Sequence, residues 1–184
     1  MKEVLFFGLV LLVLSTLALF LYEGMSVRHY LAHQTNGEIN IPINNQAPVK
    51  SGSKIEIAAP VGKVWQVLTD INHWPSWQGD VTEARLNGNL QEGATFKWKA
   101  GGLSFVSQIH TMHPNTSFGW TGKTIGASAV HNWFFREEAG KTTVTVEESL
   151  QGVFPRLFRK YFQSNLNQGV QKNLSELKAA SEKE

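Results

Sequence analysis

Between residues 81 and 152 the chain carries six consecutive segments in which polar and apolar residues alternate, separated only by short turn-forming stretches. A period of two is typical of strands that bury one face and expose the other. Connections this short join antiparallel neighbours, so the region predicts an antiparallel meander. The segments are VTEARLN, ATFKWKA, LSFVSQIHTM, SFGWTGK, SAVHNWFFRE and KTTVTVEESLQG.

Other elements flank this meander on both sides. SKIEIAA, beginning at Ser53, alternates like a strand, and PVGKVWQVL has apolar residues at helical spacing with Pro60 in the first turn. A long helix is predicted from about Pro155 to the early 180s. The order strand, helices, six strands and long helix indicates an α+β domain.

The predicted last helix has two apolar stripes that do not align on a helical wheel. One contains Leu157, Phe158, Tyr161 and Phe162, and the other contains Leu166, Val170, Leu174 and Leu177. A bend between residues 165 and 169, hinged at Gly169, would bring both stripes onto the sheet. FPRLFRKYF, in the first stripe, could also rest on anionic lipid headgroups. Packing on the sheet, with the cations facing water, is the favoured interpretation.

The beginning of the chain carries a long uncharged apolar run, Val4 to Tyr22. A helix of this length, at about 1.5 Å per residue, is close to the ~30 Å hydrocarbon thickness of a bilayer. Because the run continues past Ala18, an uncleaved single-pass anchor over 1–22 is favoured over a cleaved signal peptide. Residues 23–52 are predicted as a linker and 53–184 as the folded domain. Lys2 and Arg28 lie on opposite sides of the run and do not specify the side of the membrane.

Composition excludes several classes of function. The formal net charge is only +2, which argues against a nucleic-acid partner. There is no cysteine, so no disulfide, thiol nucleophile or zinc-thiolate site can form. Neither a nucleotide-binding nor a nucleophile-elbow motif is present, and no metal, cofactor or catalytic residue is assigned. Protein partners are not indicated.

Several stretches resemble a known superfamily. IEIAAPVGKVWQVLTDINHWPSW, the downstream G-x-x-F-x-W-K and GKTTVTVEESLQG before a terminal helix are similar to START-like proteins. The resemblance is greatest to the polyketide cyclase/dehydrase and lipid-transport group, also called SRPBCC, and covers residues 53–180. It implies a helix-grip fold, in which a curved antiparallel sheet wraps the C-terminal helix around a deep apolar cavity. Members bind sterols, lipids, polyketides or plant hormones, and some are cyclases.

Aromatic residues are the main candidates for the walls of such a cavity. Trp74 and Trp77, in DINHWPSW, are held in fixed directions by Pro75, and they either line the cavity or close the end of the core. Aromatic rings on the inward strand faces bury about 150–250 Å² each. These rings, which either line a hole or fill a core, are Phe96, Trp98, Phe105, Trp120, Trp133 and Phe135.

Two polar residues share the apolar strand faces, His131 and Glu148. A buried imidazole or carboxyl group must find a partner or shift its pKa. The pair could orient a ligand carbonyl or hydroxyl, act as acid and base on a polyketide, or serve only as a satisfied core pair.

These features favour a membrane-tethered protein that holds or transfers a hydrophobic small molecule, lipid-like or polyketide-like. A polyketide cyclase or dehydratase using the two polar residues is the first alternative. A structural or partner-binding module with a collapsed cavity is the second. The missing catalytic motifs favour a binding protein over an enzyme.

Overall fold

The computed structural model describes residues 41–183. All seven predicted strands and the flanking helices are present, in the predicted order. The elements are β1 (Val49–Ile57), α1 (Val61–Thr69), a short 3-10 helix (Ile71–Ser76), β2 (Val81–Asn87), β3 (Thr95–Ala100), β4 (Leu103–His113), β5 (Ser117–Thr124), β6 (Ala127–Glu138), β7 (Lys141–Gln151), α2 (Val153–Leu157) and α3 (Arg159–Ser181).

The strands form one antiparallel sheet in the order β1-β7-β6-β5-β4-β3-β2. The meander from β2 to β7 is therefore confirmed, and β1 joins it by pairing with β7. The register sets Trp120 of β5 opposite His131 of β6, and His131 opposite Glu148 of β7. Because side chains directly opposite each other share a face, these three form one row across the inner face of the sheet.

Helix α3 lies along the inner face and supplies one side of the core. Its second apolar stripe is buried, with Leu166, Val170, Leu174 and Leu177 each at most 8% exposed. The sheet and the C-terminal helix that it holds are those of a helix-grip fold, as predicted.

The predicted bend at 165–169 is wrong. Helix α3 is continuous from Arg159 to Ser181, and the break lies earlier, at Phe158, which separates α2 from α3 with φ −115° and ψ 42°. The bend was inferred because both apolar stripes were expected to reach the sheet. Much of the first stripe is exposed, with Leu157 at 69% and Tyr161 at 65%. The expected packing of FPRLFRKYF on the sheet is therefore only partly confirmed: Phe162 packs against the core, and the cations face water as expected.

The segment before β1 lies on the outer face of the sheet. Strand β1 begins at Val49, earlier than the expected start at Ser53. Upstream of it, the backbone N–H of Asn44 donates to Ser149 Oγ at 3.1 Å, and the amide of Asn132 donates to the carbonyl of Ile41 at 2.9 Å. Residues 41–48, predicted as linker, thus hydrogen-bond with the domain.

The predicted anchor at 1–22 and the linker up to residue 40 lie outside the described residues. Within residues 41–183, no helix has both the length and the hydropathy that a membrane span requires.

Candidate ligand-binding cavity

A cavity of about 310 Å³ lies between the sheet and helix α3. Its wall is mostly apolar, with aromatic rings from β3, β4, β5 and α3 and small residues from β5 and β6. The lining residues are Trp98, Leu103, Phe105, Trp120, Gly122, Thr124, Ala127, Ser128, Ala129, His131, Glu148, Leu150, Phe162, Asn165, Leu166, Gly169, Val170 and Asn173.

Half of the predicted site residues line this cavity: Trp98, Phe105, Trp120, His131 and Glu148. The Trp98 and Phe105 rings stack with centroids 4.4 Å apart, because the two residues are directly opposite in β3 and β4. The strand alternation in the sequence predicted the shared face correctly.

Trp74 and Phe96 do not line the cavity. Trp74 is 1% exposed, and its indole N–H donates to the carbonyl of Leu68 at 2.8 Å. Its ring meets Phe96 edge-on at 5.4 Å and lies 5.5 Å from Trp120. Of the two interpretations of DINHWPSW, closure of the core describes Trp74, whose ring supports the cavity wall from behind.

Trp133 and Phe135 also lie away from the cavity, further along the inner face of β6. Both are at most 7% exposed. Helix α1 fills the space over this end of the sheet, where Trp65 meets Phe135 and Phe118 edge-on at 5.6 and 5.9 Å. Strand parity could place these rings on the inner face but could not show which part of that face α1 covers.

Trp77 has a different position from every other predicted residue. It is half-buried and lines a shallow surface depression together with Asp70, His73 and Lys183. It does not line the cavity, and it packs against the hydrophobic core.

His131 and Glu148 form a buried pair in the cavity wall, with Nδ1 of the imidazole 3.2 Å from Oε2 of the carboxyl group. Their side chains are only 8% and 14% exposed. Burial raises the pKa of Glu148 to about 8. Burial, and to a lesser degree the nearby His110, lowers the pKa of His131 to about 3.

At neutral pH both members of this pair are therefore uncharged. A protonated Glu148 carboxyl group can donate to Nδ1 of His131, and in that arrangement the ring proton lies on Nε2. This Nε2 is buried and has no hydrogen-bond partner within residues 41–183. The imidazole also lies against the Trp120 ring at 4.4 Å and the Trp133 ring at 5.3 Å, which hold it in place. A buried polar atom without a partner is costly.

Small residues that create the space are not among the predicted site residues. Gly122 and Ala129 are directly opposite in β5 and β6, next to the row containing Trp120 and His131. On α3, Gly169 faces the cavity, and a Cβ added there would meet no atom within 4 Å. The available signal was the cluster GASA at 126–129 in a strand otherwise rich in large residues.

The fold and cavity define a helix-grip protein with an internal apolar site. The sequence profile described as "Polyketide cyclase / dehydrase and lipid transport" matches residues 48–182. This chain belongs to that family.

Solved structures share the fold at low sequence identity. A hypothetical protein from Helicobacter pylori superposes with a TM-score of 0.69 at 18% identity, covering 80% of this chain and 98% of its own. The Zhui aromatase/cyclase from Streptomyces sp. R1128 gives 0.65 at 12% identity, covering 72% and 93%. The di-domain aromatase/cyclase of the steffimycin biosynthetic pathway gives 0.63 at 15% identity, covering 73% and 50%. No curated protein matches the sequence.

Proposed function

We propose that this protein is a membrane-tethered carrier that holds a hydrophobic small molecule, lipid-like or polyketide-like, in the cavity between the sheet and α3. The observation that carries the proposal is the combination of apolar walls with a buried ring nitrogen, Nε2 of His131, that has no hydrogen-bond partner among residues 41–183. Apolar sites with a few fixed polar groups are typical of small-molecule pockets, whose volumes run from about 300 to 1,000 Å³.

The proposed ligand is mostly apolar and carries one acceptor oxygen. Burial of its apolar surface contributes about 25 cal/mol per Å² and supplies most of the affinity. A carbonyl or hydroxyl oxygen accepting from His131 fixes its orientation. The uncharged state of His131 and Glu148 at neutral pH matches a neutral ligand better than a charged one.

A cyclase or dehydratase is the second candidate, favoured by the similar aromatase/cyclase structures and by the Glu148 pKa of about 8, close to neutrality. Glu148 could donate a proton, but an imidazole with a pKa of about 3 is a weak base. The carrier proposal fits this pair better. Turnover of a polyketide substrate that is abolished by Glu148→Gln would support the enzyme instead.

The role of the cavity in binding is tested by filling the cavity with a larger side chain on α3. Gly169→Leu places a side chain in open space and removes a helix-interior glycine, which costs about 1 kcal/mol relative to better helix formers. We expect a stable protein whose affinity for Nile red, an apolar dye with a carbonyl acceptor, falls at least tenfold. Gly62→Leu in α1 is the matched control, because its Cβ also meets nothing but lies on the solvent side. Equal affinity in both variants would refute the cavity as the binding site.

The proposed membrane tether is based on the uncharged apolar run from Val4 to Tyr22. Membranes from cells that express the full chain should retain it after alkaline carbonate extraction. Release into the supernatant would contradict the tether and leave the cavity proposal unaffected.

A further inference from the structure

The described part of the chain exposes an unusual group of large apolar side chains, here called the mouth surface. Their exposed fractions range from 39% at Phe154 to 73% at Ile125. Scattered exposed apolar residues are ordinary, but a contiguous group marks an interaction site. The mouth surface consists of Leu103, Ile125, Phe154, Leu157, Phe158 and Tyr161.

These residues come together because the β3–β4 turn, the β5–β6 turn and the end of β7 lie at the same end of the antiparallel sheet. Two hydrogen bonds connect the segments. Thr124 Oγ1 donates to the carbonyl of Ser104 at 2.9 Å, and the N–H of Phe154 donates to the carbonyl of Gly126 at 3.2 Å. The Phe154 ring packs directly on Gly126, where a Cβ would come within 2.5 Å of it.

The mouth surface is continuous with the cavity. Leu103 is 46% exposed and also lines the cavity wall, together with Thr124 and Ala127 beside the β5–β6 turn. Phe162, one residue after Tyr161, lines it from α3. A ligand leaving the cavity at this end therefore meets the mouth surface.

Charge at the mouth surface is of one sign. Arg156, Arg159 and Lys160 are exposed between its aromatic residues. The sequence contains no acidic residue between Glu92 and Glu137, or between Glu148 and Glu176, and all six members lie within these two intervals. Asp80, whose carbonyl accepts from the N–H of Gly101 in the β3–β4 turn, has its carboxylate paired with Lys172 at 2.6 Å.

We propose that the mouth surface docks on an anionic lipid bilayer and that the cavity exchanges its ligand with that bilayer. Aromatic and aliphatic side chains interleaved with arginine and lysine are typical of surfaces that insert at the headgroup boundary. A second copy of this chain fits poorly, because self-association would bring like charges together. The inference rests on the proposed function for the ligand, but the docking itself requires only the exposed surface.

Because the chain contains no cysteine, a single introduced cysteine can be labelled uniquely with an environment-sensitive nitrobenzoxadiazole dye. The full-length Leu157→Cys protein, reconstituted into vesicles containing one third phosphatidylglycerol in phosphatidylcholine, should show blue-shifted emission and quenching by a lipid-borne spin label. Glu138→Cys, 81% exposed at the opposite end of the sheet, is the matched control and should remain water-exposed.

The electrostatic part is tested by the triple variant Arg156→Gln, Arg159→Gln and Lys160→Gln in the Leu157→Cys protein. Each cation near an anionic surface contributes roughly a fivefold factor in binding, so the ratio of docked to undocked protein should fall about a hundredfold. Lys54→Gln, Arg85→Gln and Lys97→Gln remove the same charge from other exposed positions and should have little effect.

Two results would overturn the docking proposal. One is a Leu157→Cys label that stays as water-exposed as the Glu138→Cys label on anionic vesicles. The other is a label that is shielded from water on the vesicles but is not quenched by the lipid-borne spin label, which would assign the surface to protein contacts. Nile red affinity in detergent separates the two proposals, since the triple variant should keep it and Gly169→Leu should lose it.

Discussion

The neutral His131–Glu148 pair predicts an unusual dependence of stability on pH. The pKa of Glu148 is raised from 4.5 to about 8 in the folded protein, so the native state holds a proton that the unfolded state releases. Its contribution to the free energy of unfolding therefore falls as the pH rises between these two values. The pKa of His131 is lowered from 6.5 to about 3, so its contribution rises with pH over that interval.

The two effects oppose each other at acidic pH, and only Glu148 acts between pH 6.5 and about 8. One pH unit corresponds to about 1.4 kcal/mol for one proton, so this interval of about 1.5 units should cost about 2 kcal/mol of stability. Glu148→Gln keeps the shape and the neutral charge of the protonated carboxyl group and has no proton to lose. The variant should lack this loss of stability.

Urea denaturation followed by tryptophan fluorescence, in buffers from pH 6 to pH 9, measures the effect. Glu138→Gln, an exposed glutamate on the neighbouring strand, is the control and should retain the wild-type profile. A wild-type protein equally stable at both ends of the interval would refute the uncharged state of the pair. The same holds if Glu148→Gln keeps the wild-type slope.

Two further variants test the division between core and cavity. Trp74→Phe removes the hydrogen bond to the Leu68 carbonyl and leaves a void, so it should lower the free energy of unfolding by about 1–3 kcal/mol. Nile red affinity of the folded variant should stay within about twofold of wild type in a fluorescence titration, and a large loss would place Trp74 in the binding site. The double variant His131→Phe with Glu148→Leu replaces both polar partners by apolar groups and should remain folded. It should bind a long-chain alkane as well as wild type but lose up to about tenfold in affinity for the matching ketone, measured by displacement of Nile red; an unchanged preference would exclude His131 as the donor.

Local patterns in the sequence were sufficient for the sheet and for part of the site. Alternation places Trp98, Trp120, His131 and Glu148 on one face, and short turns require neighbouring strands to pair, so the central row of the cavity followed from parity alone. Trp133 and Phe135 lie on the same inner face of the sheet, but they belong to the packed core and not to the cavity wall. Their surroundings depend on where α1 crosses the sheet, which no local pattern specifies.

The open space was harder to predict than its walls. The large aromatic residues predict the walls of the site. The cavity itself exists because Gly122, Ala129 and Gly169 leave room beside these rings. The helix bend at 165–169 was predicted on the assumption that every apolar stripe must be buried. Leu157 and Tyr161 are exposed, so this assumption fails. Both residues belong to the mouth surface, where a contiguous apolar group marks an interaction site.

The central claim is that the cavity holds a hydrophobic guest, and native mass spectrometry of the full chain tests it most directly. Wild-type protein and Gly169→Leu, purified side by side in mild detergent, should differ in one respect. Wild type should carry a noncovalent small molecule that organic solvent extracts, and Gly169→Leu should lack it. Wild-type protein with no bound molecule, or the same molecule retained by both proteins, would contradict the account.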